Sequence, residues 1–121
     1  MGEKKIQKFI RRVAKYFDKY FTVYVYKDPN AMESMIIGPK HIIMIANRDL
    51  TETEIDSRIN RFFDLDPTCV RCLRKYYGDY FRVEIRPDGD IGRAVCGDCD
   101  PTIKFAVAYF EVIDPLFRPT A

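Results

Sequence analysis

The sequence predicts a small α+β single domain, and three observations support this fold class. The chain has 121 residues, which suits one domain, and its 47% hydrophobic residues suffice for a buried core. Segments with helical periodicity adjoin short segments in which apolar and polar residues alternate, as they do in strands. All four cysteines lie in the second half, in two C-x2-C pairs. We therefore expect an α/β body over residues 1–66 and a knuckle–hairpin–knuckle module with a C-terminal helix or strand over residues 67–121.

Residues 4–20 predict an amphipathic helix that packs on a short antiparallel sheet. At 100° per residue, the apolar residues from Ile6 to Tyr20 fall on one side. The opposite side is basic and consists of Lys4, Lys5, Lys8, Arg11, Arg12, Lys15 and Lys19. Residues 1–20 carry seven Lys or Arg against two acids, whereas the remaining residues carry thirteen against sixteen. The formal net charge of +2 thus conceals a basic N-terminal segment.

The next segments predict strands and then a second helix. FTVYVYK (21–27) alternates as a half-buried strand does, and two apolar segments (35–37 and 41–46) predict either a hairpin or one interrupted strand. TETE (51–54) is a capping box, in which a Thr hydroxyl and a Glu carboxylate satisfy backbone N–H groups at a helix start. This helix is expected to end before Asp66-Pro67.

In the cysteine half, a hairpin is predicted from YFRVEIR (80–86) and IGRAV (91–95), joined by a Pro-Asp-Gly-Asp turn. The last segment (102–113) is open to two interpretations. Its β-branched and aromatic residues favour a strand. Its period favours a helix, and Asp100-Pro101 is a suitable helix start. We favour the helix.

The cysteine spacing predicts a metal site. Two residues separate the cysteines of each pair, and twenty-three residues separate the pairs. A C-x2-C turn directs both sulfurs to one ion, and the hairpin returns the second pair to the first. We expect one structural Zn²⁺, and its ligands would be Cys69, Cys72, Cys96 and Cys99. Disulfides are the rival interpretation, followed by redox or iron–sulfur chemistry.

The two pairs and their hairpin resemble zinc-ribbon and treble-clef modules over residues 69–99. If CGDC (96–99) leads into a helix, the resemblance is to treble-clef fingers of the GATA type, in which the second pair lies at a helix start. If a strand follows, a zinc ribbon is the better likeness. Either resemblance implies a structural zinc ion.

We expect no enzymatic activity and no small-molecule substrate. A closed four-thiolate site leaves no open position for water on the metal. The sequence contains no P-loop, no dinucleotide-binding glycine motif and no H-E-x-x-H. His41, the only histidine, begins an apolar segment and is expected to be a half-buried strand-end residue with a local hydrogen bond. The acid pairs Asp64/Asp66 and Asp88/Asp90 adjoin Pro or Gly and predict turns.

Two functions remain. The first is nucleic-acid binding of the kind a transcription regulator needs, through the basic helix face and Arg71, Arg74 and Lys75. Exposed tyrosines would stack on bases, and the candidates are Tyr24, Tyr26, Tyr76 and Tyr77. The second is a protein-interaction or assembly module in which zinc is purely structural, with a protein partner or self-association. Under the second function, the charged face is simply solvated and the basic residues near the cysteines offset the thiolate charge.

Composition also indicates where the protein works. The sequence shows neither an apolar run of transmembrane length nor a signal peptide, so we expect an intracellular (cytoplasmic) protein without a membrane partner. Only three Asn and one Gln accompany 31% charged residues, which is typical of hyperthermophile proteins. We therefore expect an archaeal or archaeal-virus source, in which intracellular disulfides are a real option.

Overall fold

A computed structural model describes the backbone of residues 8–13 and, in full, residues 21–76, 79–114 and 117. It confirms a small α+β domain, in which a six-stranded sheet has the order β1-β2-β4-β3-β5-β6. One helix packs on each face of this sheet. The elements are β1 Lys8–Val13, β2 Phe21–Lys27, β3 Ser34–Ile37, β4 His41–Ala46, α1 Glu52–Leu65, β5 Phe81–Ile85, β6 Ile91–Cys96 and α2 Thr102–Ile113.

The predicted N-terminal helix is wrong over residues 8–13, which form β1. This strand pairs antiparallel with β2, with Lys8 opposite Tyr26 and Val13 opposite Phe21. Without β1, the backbone N–H and C=O groups along one edge of β2 would lack hydrogen-bond partners within the sheet. This stabilisation comes from residues distant in sequence, so the helical periodicity of residues 4–20 gives no sign of it. The predicted helix face therefore does not exist over residues 8–13. Residues 4–7 and 14–20 of the predicted helix lie outside the described residues.

The prediction of β2 as a half-buried strand is also wrong, because the strand is buried on both faces. Val23 and Val25 face α1, whereas Tyr24 and Tyr26 lie beneath α2. The Tyr26 ring stacks on Phe110 of α2, with their centroids 4.4 Å apart. The expected antiparallel sheet is in fact mixed, since β2 and β4 run parallel.

The two apolar segments that follow β2 form the hairpin β3–β4, one of the two predicted alternatives. Its turn contains Gly38, where an added Cβ would overlap the Tyr80 ring. His41 begins β4 and is buried rather than half-buried, since its ring lies against Tyr24 and Phe117. Its Nδ1 atom has no hydrogen-bond partner within the described residues, so the expected local hydrogen bond is not found at this atom. Burial, followed by the nearby charge of Lys40, lowers the pKa of His41.

Helix α1 forms as predicted. The Thr51 hydroxyl accepts a hydrogen bond from the Glu54 backbone N–H at 3.1 Å, and the Glu54 carboxylate accepts one from the Thr51 N–H at 2.9 Å. Ile55, Ile59 and Phe62 are buried against the sheet. The helix ends at Leu65, and the next residue adopts a left-handed conformation with φ 51°.

The segment 102–113 is a helix, as favoured, and it packs Ile103, Val107 and Phe110 on the second face of the sheet. The hairpin β5–β6 is confirmed, and β5 pairs with β3, so both halves of the chain share one sheet. In the described part of the chain, neither helix is long and apolar enough to cross a bilayer.

Candidate metal centre

The four cysteine sulfurs converge on one point between the end of β6 and the loop that follows α1. All four Sγ atoms lie within 4.8 Å of one another, and those of Cys72 and Cys96 are 3.7 Å apart. A tetrahedral ion with metal–sulfur bonds of ~2.3 Å places its sulfurs about 3.8 Å apart, so the cluster has the size of a single four-thiolate site. All four cysteines lie in the described part of the chain, and none forms a disulfide.

The first pair lies in a short loop that is closed by backbone hydrogen bonds. Thr68 and Lys75 form an isolated antiparallel bridge across its base. Within the loop, the Cys69 N–H donates to the Arg74 carbonyl at 2.8 Å, and the Leu73 N–H donates to the Cys69 carbonyl at 2.8 Å. Leu73 adopts a left-handed conformation with φ 64°, the position at which such turns usually have glycine. Closure by these bonds lets CVRC form its turn without the Pro or Gly that is common there.

The second pair joins β6 to α2. Cys96 is the last residue of β6, and its carbonyl accepts from the N–H groups of Cys99 (3.2 Å) and Asp100 (3.0 Å). The Asp100 carboxylate then accepts from the backbone N–H of Thr102, the first residue of α2, at 3.1 Å. CGDC (96–99) therefore leads into a helix, and the second knuckle lies at the start of α2. No zinc-ribbon family is identified for this chain.

The sulfurs cannot ionise independently. Burial opposes a thiolate at Cys69, but backbone N–H groups of Cys96, Cys72 and Arg71 outweigh burial and lower its pKa. The Arg71 N–H lies 3.4 Å from the Cys69 sulfur. Hydrogen bonds with the sulfurs of Cys96 and Cys72, aided by burial, raise the pKa of Cys99. Four thiolates at this spacing would repel one another, so a cation is required for all of them to carry charge at once.

The basic side chains near the cysteines make contacts within the molecule. Arg71 Nη1 donates to the Cys99 carbonyl at 2.7 Å, which connects the two knuckles. Arg74 pairs with Asp98 of the second knuckle, and Lys75 Nζ lies 3.0 Å from the Asp66 carboxylate. These contacts agree with a bracing role; phosphate binding by Arg71, Arg74 and Lys75 stays a prediction.

The other residues predicted to bind nucleic acid are not brought together with the cysteine cluster. Lys8, Arg11 and Arg12 lie in β1, at the opposite edge of the sheet from β6. Lys4, Lys5, Lys15, Lys19 and Tyr77 lie outside the described residues. The expectation that Tyr24 and Tyr26 are exposed for base stacking is wrong, because α2 covers them. Tyr76 is half-buried against Phe62 and Phe81, and its hydroxyl donates to the Gly38 carbonyl.

The prediction from sequence missed one surface, the outer face of α2, which we define as Phe105, Ala108, Tyr109 and Val112. Its large side chains are exposed by 74% (Phe105), 51% (Tyr109) and 82% (Val112). A signal was present in the sequence, since TIKFAVAYFEVI has only three polar residues other than Tyr. A helix that is apolar on two opposite faces is expected to be covered on both of them.

Comparison with known proteins identifies the family to which the chain is similar. A family model described as hypothetical protein ORF126-like matches residues 6–110. A crystal structure of the hypothetical protein ORF126 from Pyrobaculum spherical virus is similar at a TM-score of 0.70 and 27% sequence identity. That similarity covers 82% of this chain and 91% of the viral one. No curated protein matches the chain. The composition of this chain predicts an archaeal or archaeal-virus source, and a viral, hyperthermophile-related neighbour agrees with that prediction. The source of this chain itself stays a prediction.

Proposed function

The chain belongs to the ORF126-like family, and we propose that it is a non-enzymatic interaction module whose helix α2 is braced by one structural Zn²⁺. One observation carries this proposal. The four-sulfur cluster lies at the start of α2, and α2 is the helix that exposes a continuous apolar face. The metal would hold in place a surface that has the chemistry of a protein interface.

The donor set supports zinc as the ion. Thiolates are soft ligands that select zinc, copper(I) or iron–sulfur clusters, and four thiolates in a tetrahedron are typical of structural zinc. With four protein ligands, the ion would have no open position for water or substrate, so its contribution would be to folding. The residues that would hold it are Cys69 and Cys72 after α1, and Cys96 and Cys99 before α2.

Helix α2 takes the support at its start from the second knuckle and not from its N-cap residue. Pro101 occupies the N-cap position and has no side-chain acceptor, and the first turn has no acidic residue. Support comes instead from the second knuckle, through the Cys96 carbonyl and the Asp100 carboxylate. In small zinc fingers the metal contributes apparent folding free energies of ~10–16 kcal/mol, which is ample to order one helix start.

An interaction role fits the described surface better than nucleic-acid binding does. A phosphate backbone requires grouped, available cations, whereas the basic residues beside the cluster are engaged within the molecule. An apolar helix face offers nothing to a phosphate and suits another apolar surface. Nucleic-acid binding through the N-terminal Lys and Arg residues remains the competing hypothesis.

Two measurements on the purified protein test the proposal. Native mass spectrometry should find one zinc ion per chain, and Cys96→Ser should lose it. Fluorescence titrations with mixed DNA and RNA at increasing salt should find no salt-dependent binding. If salt-dependent binding occurs and is lost when Lys8, Arg11, Arg12 and Lys15 are changed to Ala, the nucleic-acid hypothesis replaces this one. A folded, metal-free protein with cysteines bonded to each other would reject the brace.

A further inference from the structure

The outer face of α2 is a stripe that follows the helix axis. Phe105, Tyr109 and Val112 are spaced by four and three residues, so they lie above one another on one side of the helix, with Ala108 beside them. Single exposed apolar side chains are ordinary on protein surfaces, but a continuous group of this kind marks a contact site. The inner face of the same helix is already occupied by the sheet, so this stripe is the face of α2 that is open to a partner.

The charges that flank the stripe indicate what packs there. Lys104 and Glu111 are both exposed and seven residues apart, so they project from the same flank of α2, one near each end. Their midpoint lies between residues 107 and 108, and the midpoint of Phe105 and Val112 lies between residues 108 and 109. These two midpoints differ by about 1.5 Å along the axis, the rise of one residue. The charge pattern and the apolar stripe therefore share a centre.

This symmetry is what a two-fold contact requires. When two identical helices pack face to face and antiparallel, the two-fold axis lies in the interface and brings the same flank of each helix together with its ends reversed. The end that carries Lys104 then meets the end that carries Glu111 in the other copy, and the reverse contact forms as well. Ala108 lies near the axis, where a small side chain lets two helices approach closely.

We propose that the outer face of α2 is a homodimer interface, in which α2 of one copy packs antiparallel on α2 of a second copy and Lys104 pairs with Glu111 of the partner subunit. The inference rests on the proposed function and names its partner. An unrelated apolar partner would not require opposite charges placed symmetrically about the stripe. The stripe supplies a few hundred Å² per copy, less than the roughly 800 Å² of a standard interface, so the dimer should dissociate reversibly on dilution.

Analytical ultracentrifugation of the zinc-loaded protein over a range of concentrations tests the dimer. The parent should reach twice the monomer mass of 14.2 kDa as its concentration rises. Lys104→Glu and Glu111→Lys should each weaken the dimer about tenfold, since each change places two like-charge pairs in the interface. The double variant Lys104→Glu/Glu111→Lys should restore the parent dimer. Lys40→Glu, a charge reversal at an exposed position in the β3–β4 turn, should leave it unchanged.

The charge reversals do not harm the helix itself. Glutamate at 104 and lysine at 111 place each charge at the helix end that the macrodipole favours, so a weakened dimer cannot be ascribed to a weakened α2. A parent protein that stays monomeric at high concentration overturns the inference. A dimer that is indifferent to the single variants, or is not restored by the double variant, also overturns it. If the zinc content is intact in that case, the proposed brace survives; loss of zinc from the parent would instead reject the proposed function.

Discussion

The two helices of this protein are stabilised in different ways. Helix α1 has a capping box, acidic residues in its first turn, and polar residues at its exposed positions other than Leu65. Helix α2 has a proline at its N-cap position, has no acidic residue in its first turn, and is apolar on both its inner and its outer face. The start of α1 is therefore supported by residues within the helix and its N-cap, whereas the start of α2 is supported by the cysteine knuckle that precedes it.

The largest expected effect comes from the metal ligands. Cys96→Ser should remove the ion and lower the free energy of unfolding by on the order of 5 kcal/mol, because the start of α2 and the first knuckle lose their common anchor. Urea denaturation followed by circular dichroism measures the change. Chelation of the parent should reproduce the loss and added zinc should reverse it. A variant as stable as the parent would show that the cluster does not hold α2.

A matched pair of substitutions on α2 separates its two faces. Phe110→Ala removes a buried ring that stacks on Tyr26 and should cost about 3–5 kcal/mol. Phe105→Ala removes an exposed ring and should change the stability of the dilute monomer by no more than about 0.5 kcal/mol, while it weakens self-association. Thermal denaturation at low concentration measures both. Equal costs would mean that the outer face is covered within the monomer.

The support at the start of α1 predicts a smaller effect. Thr51→Ala should destabilise the protein by about 1 kcal/mol, because the hydroxyl that accepts from the Glu54 N–H is lost. Thr53→Ala, at an exposed position within the same helix, serves as the control and should be close to neutral. Denaturant midpoints compare the two. A Thr51→Ala protein as stable as the control would mean that α1 also relies on its surroundings.

The smallest expected effect is a pH dependence of the free energy of unfolding, which comes from Glu54 in the same capping box. Hydrogen bonds from the Arg48 side chain and then from the Thr51 backbone N–H lower the pKa of Glu54 to about 2. A carboxyl group whose pKa is lowered on folding stabilises the protein above its unfolded pKa, and this contribution is lost as pH falls toward the folded value. NMR titration of Glu54 should give the low pKa directly. The stability difference between the parent and Glu54→Gln should shrink as pH falls from 6 toward 2, and a constant difference would contradict the assignment.

What the sequence predicted correctly is what local chemistry determines. The capping box of α1 and the β5–β6 hairpin follow from short patterns in which each residue interacts with near neighbours. The hairpin also returns the second cysteine pair to the first, and the β3–β4 hairpin was one of two alternatives that the sequence left open. Strand β1, the parallel pairing of β2 with β4 and the burial of Tyr24 depend on partners that are distant in sequence. Periodicity within residues 4–20 carries no information about the open edge of β2, so the helical interpretation of residues 8–13 failed.

The outer face of α2 shows a further limit of prediction from sequence. The pattern of residues 102–113 left helix and strand open and favoured a helix, and it did not separate a helix buried on both sides from one that presents an apolar face. Only the position of α2 on the sheet distinguishes these cases, because it shows which side the sheet leaves uncovered.

Hydrogen–deuterium exchange of α1 and α2 in one sample, before and after metal removal, tests the central claim most directly. With the ion bound, amides of both helices should be protected. After chelation, the α2 amides should exchange much faster, while those in the first turns of α1 keep their protection, because the capping box at the start of α1 does not involve the cysteines. Amides near Phe62 should lose some protection, since Cys69 and Cys96 belong to the same buried cluster as Phe62. Unchanged protection of α2 on metal removal, or equal loss in both helices, would contradict the account.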